Sequence, residues 1–394
     1  MESGGDLPLI PSLPISWADG ETIMRSLGGD VAEDDWQGSQ GGLSTGWALV
    51  QASSISLTII ERLQRAVLVV SFVTCDSTFS FGLQGEQKIA TIENVIGVIE
   101  GAEEPDRYVL LGNHRDAWTF GAVDPNSGTA ALLEVAERFR KLQKKGWKPR
   151  RTIVLCNWDA EEYGLVGSTE WVEENREILA SRAVAYLNVD RAVAGAGFHA
   201  ASTPQLDQLV VEAAQQVLDP DNSSQSIYDS WVGATSSPLI DRLGDGRSDY
   251  AAFIQHVGVP SANFYFGLEY PVYHSMYDDY VWMEKFGDPM FRRNVAVASI
   301  WGLVALRLAD EEFLPFNYLS YAAELEKSAD GLQHEVSSKE VDLLPLFRSI
   351  KALQEAAEKI DTQKTVIRES RGWMIVSKEY KMKVRELNDR LMMA

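Results

Sequence analysis

Trp158-Asp159-Ala160-Glu161-Glu162-Tyr163-Gly164 stands between two stretches of opposite character. Before it, Arg151-Thr152-Ile153-Val154-Leu155-Cys156-Asn157 is a short apolar, β-branched run that predicts a buried strand. After it, Leu165-Val166-Gly167-Ser168-Thr169-Glu170-Trp171 reads as a helix. Two adjacent acids therefore sit at the carboxyl end of a strand, the edge where open α/β sheets bind ligands. Neighbouring carboxylates on a turn point in different directions, so one can bind a metal while the other handles a proton. A Glu-Glu pair is also what the dipole at a helix start favours, so the pair needs partners before it means chemistry.

Working outward, residues 92–100 alternate as a strand, residues 101–106 turn, and residues 108–112 form a second strand. Pro125-Asn126-Ser127-Gly128 leads into a helix with Ala131, Leu132, Val135, Ala136 and Phe139 on one face, ending near Gly146. A strand over 183–189 and a helix over 204–218 follow; 219–237 is polar loop; 250–257 is helical; 259–265 is the last strand; and 288–308 is a long apolar helix. This alternation predicts an α/β fold, a mixed, mostly parallel sheet flanked by helices on both faces. After Pro315 the strand signal ends and Leu, Ala, Glu and Lys recur with helical period, predicting a carboxyl-terminal helical domain over 315–394.

The amino-terminal part reads differently. Residues 1–48 are rich in Gly, Pro, Ser and Asp, with an extended segment at 7–11 and a short helix at 17–24. Residues 49–89 turn to Ser, Ile, Val and Phe without a clean period, and no element is assigned there. The apolar run 49–73 carries Glu61, Arg62 and Arg65 near its centre, which makes it a poor membrane-spanning helix, and residues 1–6 lack the basic and apolar regions of a signal peptide.

With 394 residues, 45% apolar and 24% charged, the chain has room for two or more domains of a globular protein. A formal charge of -21 argues against nucleic acid or an anionic membrane as partner. Two cysteines, Cys75 and Cys156, do not make a disulfide framework.

Two of the five histidines stand in unusual company. His114 ends the second strand in Gly112-Asn113-His114-Arg115-Asp116, with Asp124 following in Gly121-Ala122-Val123-Asp124-Pro125. Asp190 follows the 183–189 strand, and His274 lies in Tyr270-Pro271-Val272-Tyr273-His274-Ser275 after the last strand. Each has an ordinary reading: Asp190 as a cap, Asp124 as a turn former, His274 as a surface residue. Jointly, two imidazoles and three carboxylates (Asp124, Glu162, Asp190) are donors suited to zinc. A shared carboxylate would hold two ions roughly 3.5 to 4 Å apart, an arrangement that polarises a carbonyl and activates water. Asp116, close behind His114, is suited to orient that ring.

Gly-Asn-His-Arg-Asp-Ala-Trp, Val-Asp-Pro-Asn-Ser-Gly, Trp-Asp-Ala-Glu-Glu-Tyr-Gly-Leu-Val-Gly-Ser-Thr-Glu-Trp, Tyr-Leu-Asn-Val-Asp and Tyr-Pro-Val-Tyr-His-Ser together resemble the glutamate carboxypeptidase II family of di-zinc peptidases, in a plant form. The resemblance spans roughly residues 90–394 and implies a carboxypeptidase acting on small peptides with two Zn2+ ions. His114 and Asp190 would bind one ion, Glu162 and His274 the other, and Asp124 would bridge them. Glu161 would be the general base, and Tyr273 would hydrogen-bond the oxyanion. Residues 1–48 resemble the tail of a protease-associated domain, 49–89 an atypical linker or insertion, 90–314 the di-zinc peptidase domain, and 315–394 a shortened transferrin-receptor-like dimerisation domain.

The resemblance also implies a homodimer and a membrane of the endoplasmic reticulum or secretory pathway, although no anchor is visible. The chain departs from the family in the Lys-Tyr pair that recognises a terminal glutamate, which it lacks, and in Asn263 and Tyr265, which stand where animal enzymes carry arginines. Two other readings share the scaffold, a non-catalytic interaction protein of the transferrin-receptor branch and an aminopeptidase with the same zinc core.

Overall fold

Runs too apolar to face water on either side become central strands, and four such runs build the middle of this fold. In the computed structural model these are β2 (Glu104–His114), β3 (Arg151–Trp158), β4 (Ala183–Asn188) and β7 (Ser261–Phe266). With β1 (Val95–Ile99), β5 (Phe198–Ser202) and β6 (Ile240–Asp241) they form one seven-stranded sheet in the order β6-β5-β7-β4-β2-β3-β1. β2 runs parallel to β3 and β4, β4 to β7, and β5 to β6. β1 is antiparallel to β3, and β5 to β7, so the sheet is mixed and mostly parallel, as expected.

The structure describes residues 89–233, 238–244, 246–336, 341–370 and 378–393, and before them only the backbone of five strands. The chain divides into two units, Met1–Thr91 and Ile92–Ala394. In the first, Asp30–Val31 pairs antiparallel with Ala48–Leu49, and Ser54–Arg62, Arg65–Val73 and Thr78–Glu86 form an antiparallel meander. Residues 49–89, to which no element was assigned, thus hold three long strands. Ser54–Arg62 and Thr78–Glu86 do alternate, with Ile55, Leu57 and Ile59 and with Phe79, Phe81 and Leu83 at every second position, but the unbroken apolar run Arg65–Val73 between them blurs the period over the whole stretch. The elements expected at 7–11 and 17–24, and Cys75, lie outside the described residues.

In the second unit, helices cover both faces of the sheet. α1 (Asn126–Lys144) packs against one face with Ala131, Leu132, Val135 and Phe139 buried, as its period predicts. On the other face lie α2 (Val166–Glu174) and α3 (Arg176–Arg182), where Val172 and Leu179 meet Leu110, Cys156, Trp158 and Tyr186. α4 (Asp207–Gln216) joins the α1 face. α5 (Ile227–Val232) falls within the stretch read as polar loop, and begins with a reciprocal cap between Ser226 and Asp229. The Ala-rich strand β5 and two-residue β6 also escaped notice, being too short to show a period. α6 (Arg292–Asp310) crosses the α1 face with Trp301 buried and its indole N–H donating to Leu187 O at 3.1 Å.

The helices α7 (Tyr318–Glu335), α8 (Leu344–Glu369) and α9 (Lys378–Met393) follow, with Ala357 and Leu391 entering the same core. No helix among the described residues is long and apolar enough to cross a membrane. One cation holds the lower end of this assembly. Arg151, wholly buried, donates to Glu104 Oε2 at 2.9 Å and to the main-chain oxygens of Leu308 and Glu311 at 2.8 Å. Removing one partner of such a pair leaves the other charged, buried and unpaired. Arg151→Met is expected to destabilise the chain by about 3 to 5 kcal/mol in denaturant unfolding, whereas Arg138→Met, at an exposed helical pair, should cost less than about 1 kcal/mol.

Candidate metal centre

The strand ends bring the singled-out residues together. His114 is the last residue of β2, Glu161 and Glu162 lie on the turn after β3, Asp190 lies just past β4, and His274 is in the loop after β7. Asp124, between β2 and α1, stands between the two imidazoles. Its Oδ1 is 3.1 Å from His114 Nε2 and its Oδ2 is 3.4 Å from His274 Nε2. Asp190 Oδ1 lies 3.3 Å from His114 Nε2, and Glu162 Oε2 lies 3.2 Å from His274 Nε2. Two donor sets result, His114-Asp124-Asp190 and Asp124-Glu162-His274, each with its donor atoms within 4.8 Å of one another.

The residues fit metal ions on an independent observation. Asp124 Oδ1 and Glu162 Oε1 are buried and accept no hydrogen bond from the protein, despite the nearby imidazole in the first case. Buried carboxylate oxygens without a donor are costly unless a cation meets them. His114 is also oriented for the task. Its Nδ1 lies 3.0 Å from the main-chain oxygen of Asp116, so a hydrogen there leaves the Nε2 lone pair facing the two carboxylates. Asp116 therefore orients the ring through its carbonyl, its Oδ1 being 3.6 Å away.

The carboxylate of Asp116 has a different task, accepting the main-chain N–H groups of Glu161 at 3.0 Å and Glu162 at 3.2 Å. That clamp holds the turn bearing both acids. Ala160 and Leu165 take positive φ values of 55° and 59°, so the turn needs such holding. Asp278 does the same for Asp124, accepting from Val123 N at 2.7 Å and Asp124 N at 3.2 Å while Tyr270 Oη donates to it at 2.8 Å. Asn113, fully buried, donates to the main-chain oxygens of Val189 and Asp190 at 3.0 and 2.9 Å. Asp278 and Asn113 were missed in the sequence. Their signals were an acid shortly after His274 and an amide inside an apolar strand.

So many acids raise each other's proton affinity. Glu161 is pushed up to about 9, first by burial and then by the negative charge of Asp190. Burial opposes a charge on His274, but hydrogen bonds to Asp124 and Glu162 hold its proton up to about 9. His114 is likewise held well above its ordinary value, against burial, by Asp116, Asp124 and Asp190. Tyr273 is stacked on His274 with centroids 3.6 Å apart, and burial and the charge of Asp124 push its hydroxyl up to about 12, so it remains a donor. Glu161, Glu162, Asp190 and Tyr273 all line one cavity of about 690 Å³.

Residues 94–296 match the family described as peptidase family M28. The chain belongs to that family. A probable glutamate carboxypeptidase of Arabidopsis thaliana is 59% identical over 394 residues, covering 100% of this chain and 51% of that protein. One of Zea mays is 43% identical over 391 residues, 98% of this chain and 50% of its own length. An aminopeptidase of Rattus norvegicus is 35% identical over 415 residues, 98% of this chain and 51% of that protein. This M28 chain thus spans about half the length of the curated relatives it matches.

Two outcomes follow for the M28 site. In metal-free protein, groups whose folded pKa is raised lend stability below their ordinary value and lose it as pH climbs through the raised one. For Glu161 that window runs from 4.5 to about 9, and for His274 from 6.5 to about 9. Chelator-treated protein should therefore melt lower at pH 8.5 than at pH 6, while the rise in Tm on adding zinc should be larger at pH 8.5, because metal displaces these protons. Asp278→Ala should weaken zinc affinity by about 10- to 100-fold in a competition titration, by freeing the Asp124 loop.

Proposed function

We propose that this chain carries the active site of a zinc-dependent carboxypeptidase that hydrolyses the carboxy-terminal peptide bond of small peptides; its plant relatives are described as probable glutamate carboxypeptidases. The observation that carries the reading is the pair of donor sets sharing Asp124 with Glu161 on the same cavity wall. Zinc ions held by His114 and Asp190, and by Glu162 and His274, with Asp124 shared, would supply Lewis acidity to the scissile carbonyl and the attacking water.

The chain's own residues do the rest. Glu161 takes the proton of the attacking water on its carboxylate and passes it to the leaving amine. Bound cations would lower its proton affinity from the metal-free value toward neutrality, where a base both accepts and releases protons. The Tyr273 hydroxyl donates a hydrogen bond to the tetrahedral oxyanion, an interaction that strengthens as charge develops. Asp116 holds the Glu161 turn and the His114 ring in place.

The same reading assigns residues 1–48 to the tail of a protease-associated domain, 49–89 to an insertion, 90–314 to the peptidase domain and 315–394 to a dimerisation domain, with a second copy of the chain as partner. The helices α7 to α9 are compatible with that role, and sedimentation of purified protein as a monomer would remove the dimer.

The rat relative favours a second reading, an aminopeptidase. Amino-blocked dipeptides should be cleaved if the first holds, and only free-amine dipeptides if the second does. The non-catalytic reading finds no support in a complete donor set. Glu161→Gln should keep two zinc ions per chain by elemental analysis while kcat falls by about 10²- to 10⁴-fold. Full turnover in that variant would remove Glu161 from the reaction.

A further inference from the structure

The cavity that holds Glu161 and Asp190 also contains a cation that pairs with no acid among the described residues. Arg191 follows Asp190 directly and lines the cavity wall beside Tyr270 and Tyr273. Its guanidinium carbon lies 5.5 Å from the centroid of each of those rings, and its Nη2 donates to Leu268 O at 2.8 Å. Among the described residues no carboxylate pairs with it, and only one of its several N–H donors has a protein acceptor. The other arginines of the same cavity are engaged. Arg242 is forked onto Asp207 at 2.9 and 2.8 Å and reaches Glu324 at 3.0 Å, and Arg247 has contacts of its own within the protein.

We infer that Arg191 is a specificity-determining residue that receives a substrate carboxylate in this cavity, an inference that rests on the carboxypeptidase reading above. Three physical points carry it. A guanidinium held against aromatic rings keeps its N–H edge for a planar, two-oxygen acceptor, the geometry of a carboxylate. Ring contacts and the bond to Leu268 fix the side chain beforehand, so little freedom is lost when a ligand arrives. Otherwise, apart from Arg242, held by Asp207 and Glu324, and Arg247, the charged lining is acidic, Asp124, Glu161, Glu162, Asp190, Asp241 and Glu269, so an anionic peptide is favoured by a cation with donors to spare. Arg191 also packs over Tyr273, which stacks on His274, so a carboxylate docked on it lies on the same cavity wall as the proposed metal ligands.

The carboxylate has two possible sources, the peptide's terminal group or an acidic side chain. Zinc-loaded Glu161→Gln protein serves as the non-turning background, and calorimetry measures binding of N-acetyl-Ala-Glu, N-acetyl-Ala-Ala and N-acetyl-Ala-Ala-amide with and without Arg191→Met. A terminal source predicts that Arg191→Met weakens the first two on the order of 10- to 100-fold and spares the amide. A side-chain source predicts that loss for N-acetyl-Ala-Glu alone. Arg191→Lys, which keeps charge without the fork, should recover part of either loss.

An equal loss for all three ligands, as a purely structural role would give, overturns the inference. So does no loss, a larger loss in Arg247→Met than in Arg191→Met, or a background that binds neither carboxylate ligand. The carboxypeptidase reading fails separately, if the unsubstituted protein cleaves free Ala-Ala but leaves the acetylated peptides intact.

Discussion

The constraint on which the rest of the site depends is the burial of Asp124 between two imidazoles. A carboxylate this far from water is stable only if positive charge meets both of its oxygens. Here His274 Nε2 lies 3.4 Å from one, while the other, 3.1 Å from His114 Nε2, accepts no hydrogen bond. Asp190 and Glu162 then crowd the same imidazoles, so the centre holds more negative charge than two protons can neutralise. In the metal-free state the excess is relieved by keeping a proton on Glu161. A pair of divalent cations would reverse that arrangement, freeing the imidazoles and the base together, which is why proton affinity, stability and metal uptake are linked here.

Such a cluster does not hold itself together, and main-chain donors do that work. Asp116 takes the amides of Glu161 and Glu162, Asp278 those of Val123 and Asp124, and Asn113 gives both amide hydrogens to the loop of Val189 and Asp190. Each clamp ties one ligand-bearing loop to a neighbour. Two glycines let these loops approach closely. A Cβ on Gly128 would run into Asn113 Nδ2 and the oxygens of Val189 and Asp190, and one on Gly167 into Asp159 O. The backbone is therefore packed around the ligands as tightly as a hydrophobic core, and the geometry is set before any ion arrives.

The central strands were legible because burial on both faces demands uninterrupted apolar runs, and α1 because its apolar face repeats at helical spacing. The juxtaposition of His114, Asp124, Glu162, Asp190 and His274 was legible from their common position after strands, since a parallel sheet gathers such loops at one edge. The clamps were not, because a buried carboxylate that accepts main-chain N–H groups looks in sequence like any loop acid. Asp116 shows the limit well. Its place two residues after His114 suggested that it orients the ring, a contact its carbonyl makes, while nothing in sequence announced that its carboxylate holds the turn after β3. The strands within 54–86 went unread although two of them alternate, Ile55, Leu57 and Ile59 in one and Phe79, Phe81 and Leu83 in the other, because the unbroken apolar run between them blurs the period.

A buried polar chain connects the turn bearing Glu161 to the cavity wall. The Trp158 indole N–H, at the start of the Glu161 turn, donates to Tyr186 Oη at 2.9 Å, and Tyr186 Oη donates to Asn188 Oδ1 at 3.0 Å. Asn188 Nδ2 in turn donates to Ser248 Oγ at 2.9 Å and Asn263 Oδ1 at 3.1 Å, both residues of the cavity wall. Every member needs its partner, because an amide or hydroxyl left unpaired there has no water to turn to. The side-chain oxygen of Asn263 is committed to Asn188. The cavity wall at Ser248 and Asn263 and the start of the turn bearing Glu161 are thus parts of one hydrogen-bonded unit. A change of residue at Asn263 alters the support of Asn188 and, through Tyr186, of Trp158 as well as the cavity wall.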